Sequence, residues 1–270
     1  DHLKSFSDTN RWPSVLQRIV LVQYERGGGA TSFFSSFCHV RIIWGGDSTI
    51  NQIRKSQIPA RSFDVTFADR YSMAAINADG VDVQNIASLA SSFYNDTYLF
   101  DQNACSAPHL VVWFGEVEKI EMVRSLFWDA LCKVVKEKYK FQPVLAVDKL
   151  TAFYRQSVAM PIKKVRTDDN LLVRVCLDRL SADVDEYKCA GGYFSEYIAK
   201  DWSEVADIVN NKYQTLAYSG FTKQELQAFI EENRLTGIDR VVPIGATTDF
   251  SLIWDGYDLI RTLSRVVSIK

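Results

Sequence analysis

Residues 109–139 of the chain read HLVVWFGEVEKIEMVRSLFWDALCKVVKEKY. Near the middle of this stretch, the spacing of the apolar residues changes from that of a strand to that of a helix. The stretch begins with a short apolar run after His109, which is typical of a strand buried on both faces. From Glu116 to Tyr139 the apolar residues recur at helical spacing, which predicts a long amphipathic helix. These helix positions are Val117, Ile120, Val123, Phe127, Leu131, Val134 and Val135. A buried strand that leads into such a helix is the repeating unit of a parallel α/β sheet.

The same alternation extends to both sides of this unit. Further strands are predicted at residues 19–24, 40–44, 63–67, 72–76, 171–177 and 240–245, and the end of the chain, 265–269, is also β-like. Helices are predicted around residues 47–53 and 86–90, and capping-box spacing marks two more helix starts, at Asp201 with Glu204 and at Thr222 with Glu225. The sequence therefore predicts an α/β fold with a largely parallel sheet.

The composition limits the classes of protein to which the chain can belong. It has 270 residues, of which 47% are hydrophobic and 24% charged, as in an ordinary globular protein. A formal net charge of −2 argues against a dedicated nucleic-acid binder. Because no apolar run reaches about 18 residues and no signal-peptide pattern opens the chain, we expect no membrane span and a cytoplasmic location. The chain begins at Asp1 rather than at a methionine, so we expect it to be part of something longer.

Five cysteines occur, at positions 38, 105, 132, 176 and 189. Their number is odd, their spacing is wide and no CxxC pair is present, which excludes a zinc ribbon and argues against a disulfide framework. We therefore predict free thiols and no metal site. Cys132 lies near the apolar stripe of the long helix and is predicted to belong to the core.

One cysteine lies in a segment suited to chemistry. Residues 100–109 read FDQNACSAPH and place Cys105 in a polar, small-residue turn between a helix and a strand. Gln102, Asn103 and Ser106 supply hydrogen-bond donors there, and backbone N–H groups of such a turn can stabilise a thiolate and hold an oxyanion. A thiolate suits acyl transfer from a thioester, although a structural turn cysteine is the alternative. We expect Cys105 at the carboxyl edge of the sheet, where α/β folds place ligands.

Several motifs resemble one known family. They are WGGDSTINQI at 44–53, FADRYS at 67–72, QNACSAPH at 102–109, GIDRVVPIG at 237–245 and WDGYDLIRTLSRVVSI at 254–269. In this order they resemble the acyl-CoA reductases of bacterial bioluminescence, the LuxC family, which belongs to the aldehyde dehydrogenase superfamily. The resemblance implies an aldehyde-dehydrogenase-like fold, with a partial Rossmann-type cofactor domain and an α/β catalytic domain.

The resemblance also implies roles for the cysteine and for one glycine turn. Cys105 matches the family cysteine that carries the acyl group as a thioester. From its position beside Cys105 alone, Asn103 is a candidate donor. His109 is a candidate base or proton donor, the alternative being a histidine at a strand start that bonds to the backbone. The strand-to-helix turn at Gly45, Gly46 and Asp47 matches the turn that passes near the dinucleotide, and the cofactor implied is NADPH. The alternative for the two glycines is a tight turn without a ligand.

Three superfamily patterns are missing. The cofactor-touching glutamate of a Glu-Ile-Phe-Gly-Pro motif has no match in residues 191–197, so its role is not transferred to Glu196. The Glu-Leu-Gly-Gly motif of the oxidative enzymes is replaced by FADRYS at 67–72. The upstream Asn-Val-Pro-type segment that starts the cofactor domain is not found either. We therefore expect the opening strands of that domain to precede Asp1.

These inferences combine into one functional hypothesis. Residues 1–100 are assigned to the later part of the dinucleotide-binding domain, 101–245 to the catalytic domain, and 246–270 to a return segment and an oligomerisation strand. The expected reaction is NADPH-dependent reduction of acyl-CoA to an aldehyde. The implied partners are acyl-CoA or acyl-protein substrates, an acyl-protein synthetase and further copies of the chain. The alternatives are an aldehyde dehydrogenase that oxidises aldehydes and a noncatalytic subunit with an incomplete site.

Overall fold

The computed structural model describes residues 17–25, 27–165, 167 and 169–270. The chain divides into two compact units, which meet in sequence at Ala68 and Asp69. The first sixteen residues of the predicted cofactor domain lie outside the described residues. The expected domain boundary at residue 100 falls inside the second unit, because strands on either side of that position pair with each other.

The first unit is a small α/β arrangement. Its elements are α1 (Ala30–Ser35), β1 (Val40–Trp44), α2 (Asp47–Arg54) and β2 (Phe63–Phe67). Strands β1 and β2 pair in parallel, as a strand–helix–strand unit requires. Ile43 and Ile50 form the small core between strand and helix. Arg41 on β1 donates from Nε to Asp64 on β2 at 2.7 Å and from Nη1 to Ser35 at the end of α1, which ties the elements together.

The second unit contains one large sheet with helices on it. Its helices are α3 (Ile86–Thr97), α4 (Val117–Lys138), α5 (Val144–Ala159), α6 (Trp202–Ala206), α7 (Lys223–Glu232) and α8 (Leu259–Thr262). Its strands are β3 (Tyr71–Asn77), β4 (Pro108–Phe114), β5 (Ile162–Val165), β6 (Val173–Leu177), β7 (Tyr193–Ile198), β8 (Tyr213–Ser219), β9 (Arg240–Pro243), β10 (Ile253–Trp254) and β11 (Tyr257–Asp258).

Seven of these strands form a mixed but mainly parallel sheet. Their order is β5-β6-β7-β4-β3-β8-β9, and every neighbouring pair is parallel except β5 with β6. Strand β4 lies at the centre and is buried along its whole length. Strands β10 and β11 form a separate antiparallel hairpin. The predicted α/β class with a largely parallel sheet is confirmed.

Two cores cover the two faces of this sheet. On one face α3 and α4 pack through Phe93 and Phe127, whose rings meet edge to face at 5.3 Å. On the other face the core includes Leu226 and Phe229 of α7. The long helix predicted from residue 116 to 139 is confirmed as α4, and the capping box at Thr222 with Glu225 is present at the start of α7.

Some predictions about local structure are wrong. Residues 19–24 were expected to form a buried strand, but they belong to no strand, and Val20 and Leu21 are exposed. A strand needs a neighbour to complete its hydrogen bonds, and the described residues provide none for this segment. Residues 265–269 likewise form no strand in the single chain, and Val266 is 91% exposed. In the described part of the chain, no helix has both the length and the apolar character needed to span a bilayer.

Candidate active site

Cys105 lies in the loop that connects α3 to β4. A short 3-10 helix, Tyr98–Phe100, ends α3, and the loop then enters β4 at Pro108. Because the loop leads into a parallel strand, Cys105 is at the amino edge of the sheet. The expectation of a carboxyl-edge position is therefore wrong. Loops at the carboxyl edge follow the parallel strands, whereas the loop that contains Cys105 precedes β4.

Left-handed backbone shapes the start of the loop. Asp101 has φ 51° and Gln102 has φ 59°, a conformation that costs energy for residues with a side chain. The backbone N–H of Gln102 donates to the carbonyl of Thr97 at 2.7 Å, which closes the end of the helix. The Asp101 carbonyl accepts from the N–H of Gly191 at 2.8 Å. The chain thereby turns sharply between α3 and Cys105 while remaining hydrogen-bonded at each side.

Gln102 is the anchor of this loop. Its side chain is buried, and its Oε1 accepts from the backbone N–H groups of Gly192 at 2.8 Å and Tyr193 at 3.0 Å. Its Nε2 donates to the carbonyls of Pro108 at 2.9 Å and Tyr193 at 3.1 Å. The sequence suggested Gln102 as a donor beside the nucleophile. The structure uses it instead to fasten the loop to the start of β7.

Replacing Gln102 by alanine is therefore expected to destabilise the protein. The change would leave two buried N–H groups and two carbonyls without their partner, at a cost of about 2–4 kcal/mol in the free energy of unfolding. Urea unfolding followed by circular dichroism measures this loss. Asn103→Ala is the matched control, because that neighbouring side chain is exposed and its removal should cost less than about 0.5 kcal/mol. Equal effects of the two changes would contradict the anchoring role.

Ser72 fixes the main chain of the cysteine itself. Its Oγ donates to the carbonyl of Cys105 at 2.7 Å and accepts from the N–H of Thr215 at 3.1 Å. Ser72 is completely buried near the start of β3, the strand between β4 and β8. One hydroxyl on β3 thus joins the cysteine loop to β8. No sequence pattern indicates this role beyond the FADRYS motif that ends in Ser72.

The Cys105 thiol is half-buried and faces an amide. Gln214 Nε2 lies 3.5 Å from Cys105 Sγ and is placed to donate to it. Burial raises the pKa of this thiol, the Gln214 hydrogen bond lowers it, and the carboxylates of Asp255 and Asp69 raise it further. The net direction is upward, so the thiol is mainly protonated near neutral pH. All five cysteines are free, as the sequence predicted.

His109 belongs to β4 and is 6% exposed. Its ring stacks on Tyr71 with the centroids 5.8 Å apart. Burial, followed by the charge of Lys188, lowers the pKa of His109 to about 3, so the ring is neutral. Its Nδ1 has no hydrogen-bond partner among the described residues. No hydrogen bond joins His109 to Cys105 in the described part of the chain, so a proton-transfer role for this histidine stays a prediction.

A polar cleft of about 260 Å³ lies beside the cysteine loop. Its lining includes Asn103, Ala104, His109, Lys188 and Cys189. Asn103 is exposed at this cleft, and its backbone N–H donates to Phe100 at 2.8 Å. The structure therefore brings Asn103 and His109 to one cleft next to the nucleophile loop. No group of three or more metal-binding side chains occurs among the residues described.

The predicted cofactor turn lies in the first unit, between β1 and α2. Gly45 donates its N–H to the carbonyl of Phe67 at 3.1 Å, and the carbonyl of Gly46 accepts from Thr49 at 2.9 Å at the start of α2. Asp47 is the first residue of that helix. The turn thus exposes a helix N-terminus, where backbone N–H groups favour anions.

A cleft of about 550 Å³ adjoins this turn. It is lined by Tyr24, Gly27, Gly28, Thr31, Ser32, Ser48, Thr49, Gln52, Ile53 and Ser56. The predicted residues Gly45, Gly46 and Asp47 therefore border the cleft, while Ser48 and Thr49 and the glycine-rich loop line it. The signal that could have identified the second wall is Gly27-Gly28-Gly29 directly before a helix, a combination that suits phosphate binding.

Glu196 is held inside the core by hydrogen bonds from other side chains. It lies on β7 and is 1% exposed, and its Oε2 accepts from the indole N–H groups of Trp113 at 3.0 Å and Trp128 at 2.7 Å. Its Oε1 accepts from Arg174 Nε at 2.7 Å, and the guanidinium of that arginine lies over the Trp128 ring at 4.9 Å. These contacts occupy the carboxylate inside the core.

Comparisons with known proteins agree with this geometry. A family profile described as "Acyl-CoA reductase (LuxC)" matches residues 2–267. Among solved structures, an NAD-dependent aldehyde dehydrogenase from Sinorhizobium meliloti superposes with a TM-score of 0.57 at 12% identity, over 87% of this chain and 51% of that one. A putative methylmalonate-semialdehyde dehydrogenase from Sinorhizobium meliloti 1021, complexed with NAD, gives 0.53 at 15% identity, over 80% and 48%.

A third solved structure is similar to the same degree. Apo betaine aldehyde dehydrogenase from Staphylococcus aureus superposes with a TM-score of 0.53 at 11% identity, over 80% of this chain and 46% of that one. At such identities these structures establish the fold alone. The chain spans about half the length of the solved structures that it matches. No curated protein matches it.

Proposed function

The chain belongs to the acyl-CoA reductase (LuxC) family, and from this premise we propose that it is the nucleophile-bearing part of an enzyme that reduces acyl-CoA to an aldehyde. The observation that carries the proposal is Cys105: its thiol is half-buried, its main chain is fixed by Ser72, and an amide N–H points at its sulfur. Such a thiol is positioned to accept an acyl group and to hold it out of bulk water.

The first half of the proposed reaction uses this chain's own groups. The Cys105 thiol gives its proton to water, and the thiolate attacks the carbonyl carbon of the acyl thioester. A bond forms between Sγ and that carbon while an electron pair moves to the carbonyl oxygen. The pair then returns, the bond to the CoA sulfur breaks, and CoA leaves as a thiolate that takes up a proton. In the proposal the backbone N–H of Cys105 steadies the oxyanion.

The second half needs a nicotinamide cofactor, which supplies the hydride that turns the enzyme thioester into an aldehyde. The first-unit cleft fits a dinucleotide, because it combines a glycine-rich loop, the N-terminus of α2 and the hydroxyls of Thr31, Ser48 and Thr49. Membership of the acyl-CoA reductase family supports NADPH as this cofactor.

The partners follow from the same proposal. Family membership supports acyl-CoA or an acyl-protein as the donor and an acyl-protein synthetase as a supplier of acyl groups. The end of the chain supports assembly of several copies, because its apolar residues are exposed, with Val266 at 91% and Ile269 at 92%. A cytoplasmic location belongs to this proposal as well.

Peptide mapping of the acyl group tests the function. After incubation with an acyl-CoA, mass spectrometry is expected to find the added acyl mass on the peptide that contains Cys105. The other four cysteines are internal controls and should remain unmodified at comparable times. Acylation spread evenly over all five cysteines would indicate nonspecific thiol exchange. No adduct on Cys105 would favour a noncatalytic subunit.

A further inference from the structure

The strand next to the cysteine is irregular at one point. Strand β8 pairs with β3 through Tyr213 with Tyr71 and then through Leu216 with Met73. Two residues of β8, Gln214 and Thr215, therefore face a single residue of β3, which is a β-bulge. Bulges of this kind redirect a side chain and are frequent beside active sites. Here the residue at the bulge is Gln214, whose amide reaches the Cys105 sulfur.

The contacts of Gln214 determine which end of its amide faces the sulfur. Nε2 donates to Asp255 Oδ1, while the hydroxyl of Thr215 donates to Gln214 Oε1 at 3.4 Å. A carboxylate accepts hydrogen bonds and cannot donate them, so it selects the NH₂ end of the amide. That NH₂ group has two hydrogens, and the second is available to Cys105 Sγ at 3.5 Å. Asp255 thus fixes the orientation in which Gln214 offers a donor to the thiol.

Asp255 is itself held in place by a tight turn. It connects β10 to β11 with Gly256, and the two residues have φ 49° and 76°. This is the left-handed pair of a two-residue hairpin turn, for which Asp-Gly is a favoured sequence. Arg240 covers the hairpin, since its guanidinium lies 4.1 Å from the Trp254 ring centroid and its Nη1 donates to the carbonyl of Thr247 at 2.8 Å.

Several charged groups face this cluster. Asp69 and Asp255 act on Cys105, and both carboxylates raise the pKa of the thiol. Arg240 interacts electrostatically with both Cys105 and Asp255, while Asp239 and Arg70 act on Asp255. Burial is the largest cause of the raised pKa of Asp255. Gln214 works against the carboxylates, because its hydrogen bond lowers the pKa of the thiol. The amide and the carboxylate therefore have opposite effects on the charge of Cys105.

We infer that Gln214 and Asp255 form a positioning pair for Cys105, in which the carboxylate of Asp255 orients the amide of Gln214 so that one N–H points at the sulfur. The acyl-accepting role of that sulfur rests on the proposed function. When the thiol loses its proton to water, the N–H of Gln214 stabilises the thiolate. Once the bond to the acyl carbon forms, the sulfur is uncharged and the N–H no longer holds it.

The test is the pH dependence of Cys105 alkylation by iodoacetamide, measured by mass spectrometry in the whole chain. Gln214→Met keeps the size of the side chain and removes the donor, so the alkylation midpoint should rise by about one pH unit. Asp255→Asn keeps an acceptor for Gln214 and removes the charge, so the midpoint should fall by a similar amount. At pH 7 the rates should change in opposite directions by about threefold each, since a lower thiol pKa also weakens the nucleophile.

Asp239→Asn is the matched control, because it removes a carboxylate that acts on Asp255 but is not among those acting on Cys105. Its midpoint should equal that of the unchanged protein. A purely structural role for the pair would move both test variants in the same direction or not at all, and either result would overturn the inference. Far-ultraviolet circular dichroism identifies a variant that unfolds. Gln214→Leu then replaces Gln214→Met, with the same expected rise, and Asp255→Gln replaces Asp255→Asn, with the same expected fall, because its amide oxygen is also an uncharged acceptor. Iodoacetamide needs no acyl-CoA, so opposite shifts without acylation would reject only the proposed function.

Discussion

Cys105→Ser is expected to abolish formation of the acyl-enzyme. A serine hydroxyl is nearly the same size but is scarcely ionised at neutral pH, and no hydrogen bond links this position to His109 or another general base among the described residues. We expect the rate of adduct formation with an acyl-CoA to fall by roughly 1,000-fold or more. Intact-mass spectrometry over time measures the rate directly.

Cys132→Ser is the matched control for this variant. Cys132 lies in α4 and packs against the core of the second unit. Its replacement should reduce stability by about 1 kcal/mol and leave the acylation rate unchanged. An unchanged rate for Cys105→Ser, with the fold intact by circular dichroism, would show that another residue receives the acyl group.

Only the residues of the site that lie in one continuous segment could be predicted from the sequence. Cys105 lies in a ten-residue stretch with a recognisable composition, and its environment follows from neighbours in the chain. Gln214 and Asp255 lie more than 100 residues further along. Their approach to the sulfur depends on the register of β8 against β3 and on a left-handed hairpin turn. Strands β3 and β8 are parallel, so no hairpin turn sets their register, and the bulge between them depends on how the two strands pack in the complete sheet.

The fold shows the same division between local and long-range causes. Strand β4 and helix α4 were predictable because their apolar residues follow the strand and helix periods. Helix α5 was not predicted, and its burial pattern is the reverse of the usual one, in which apolar side chains are buried and polar ones exposed. It buries Lys149 and Gln156 and exposes valines, including Val158 at 90%. Periodicity therefore gives the wrong orientation for this helix.

Hydrogen bonds explain why α5 can bury polar side chains. Lys149 Nζ donates to the carbonyls of Asn170 at 2.6 Å, Leu171 at 3.3 Å and Gly191. These carbonyls belong to irregular segments that precede β6 and β7, and the Leu171 carbonyl also accepts from the Tyr98 hydroxyl at 3.0 Å. A buried ammonium group with three donors satisfies them together. The helix is thus positioned by loops whose course only the complete fold determines.

The largest stability effect is expected at Glu196, a residue whose role the sequence left open. Replacing it by leucine would leave the guanidinium of Arg174 without its acceptor and two buried indole N–H groups, those of Trp113 and Trp128, without theirs. Removing one partner of a buried charged pair costs about 3–5 kcal/mol, because the remaining charge stays in an apolar environment. Urea unfolding should show a loss of this size.

The control for Glu196→Leu is an ion pair of similar length at the surface. Arg124 Nη2 lies 2.9 Å from Glu121 Oε1 on α4, and the side chain of Glu121 is 55% exposed. Glu121→Ala should cost no more than about 0.5 kcal/mol, since water replaces the lost partner. The contrast separates burial from pairing as the source of the effect.

NADPH binding provides the second measurement. If Glu196 acts only inside the core, its conservative variant Glu196→Gln should lose stability while its dissociation constant for NADPH stays unchanged. A large loss of NADPH affinity in a folded Glu196→Gln protein would instead assign the residue to the cofactor site.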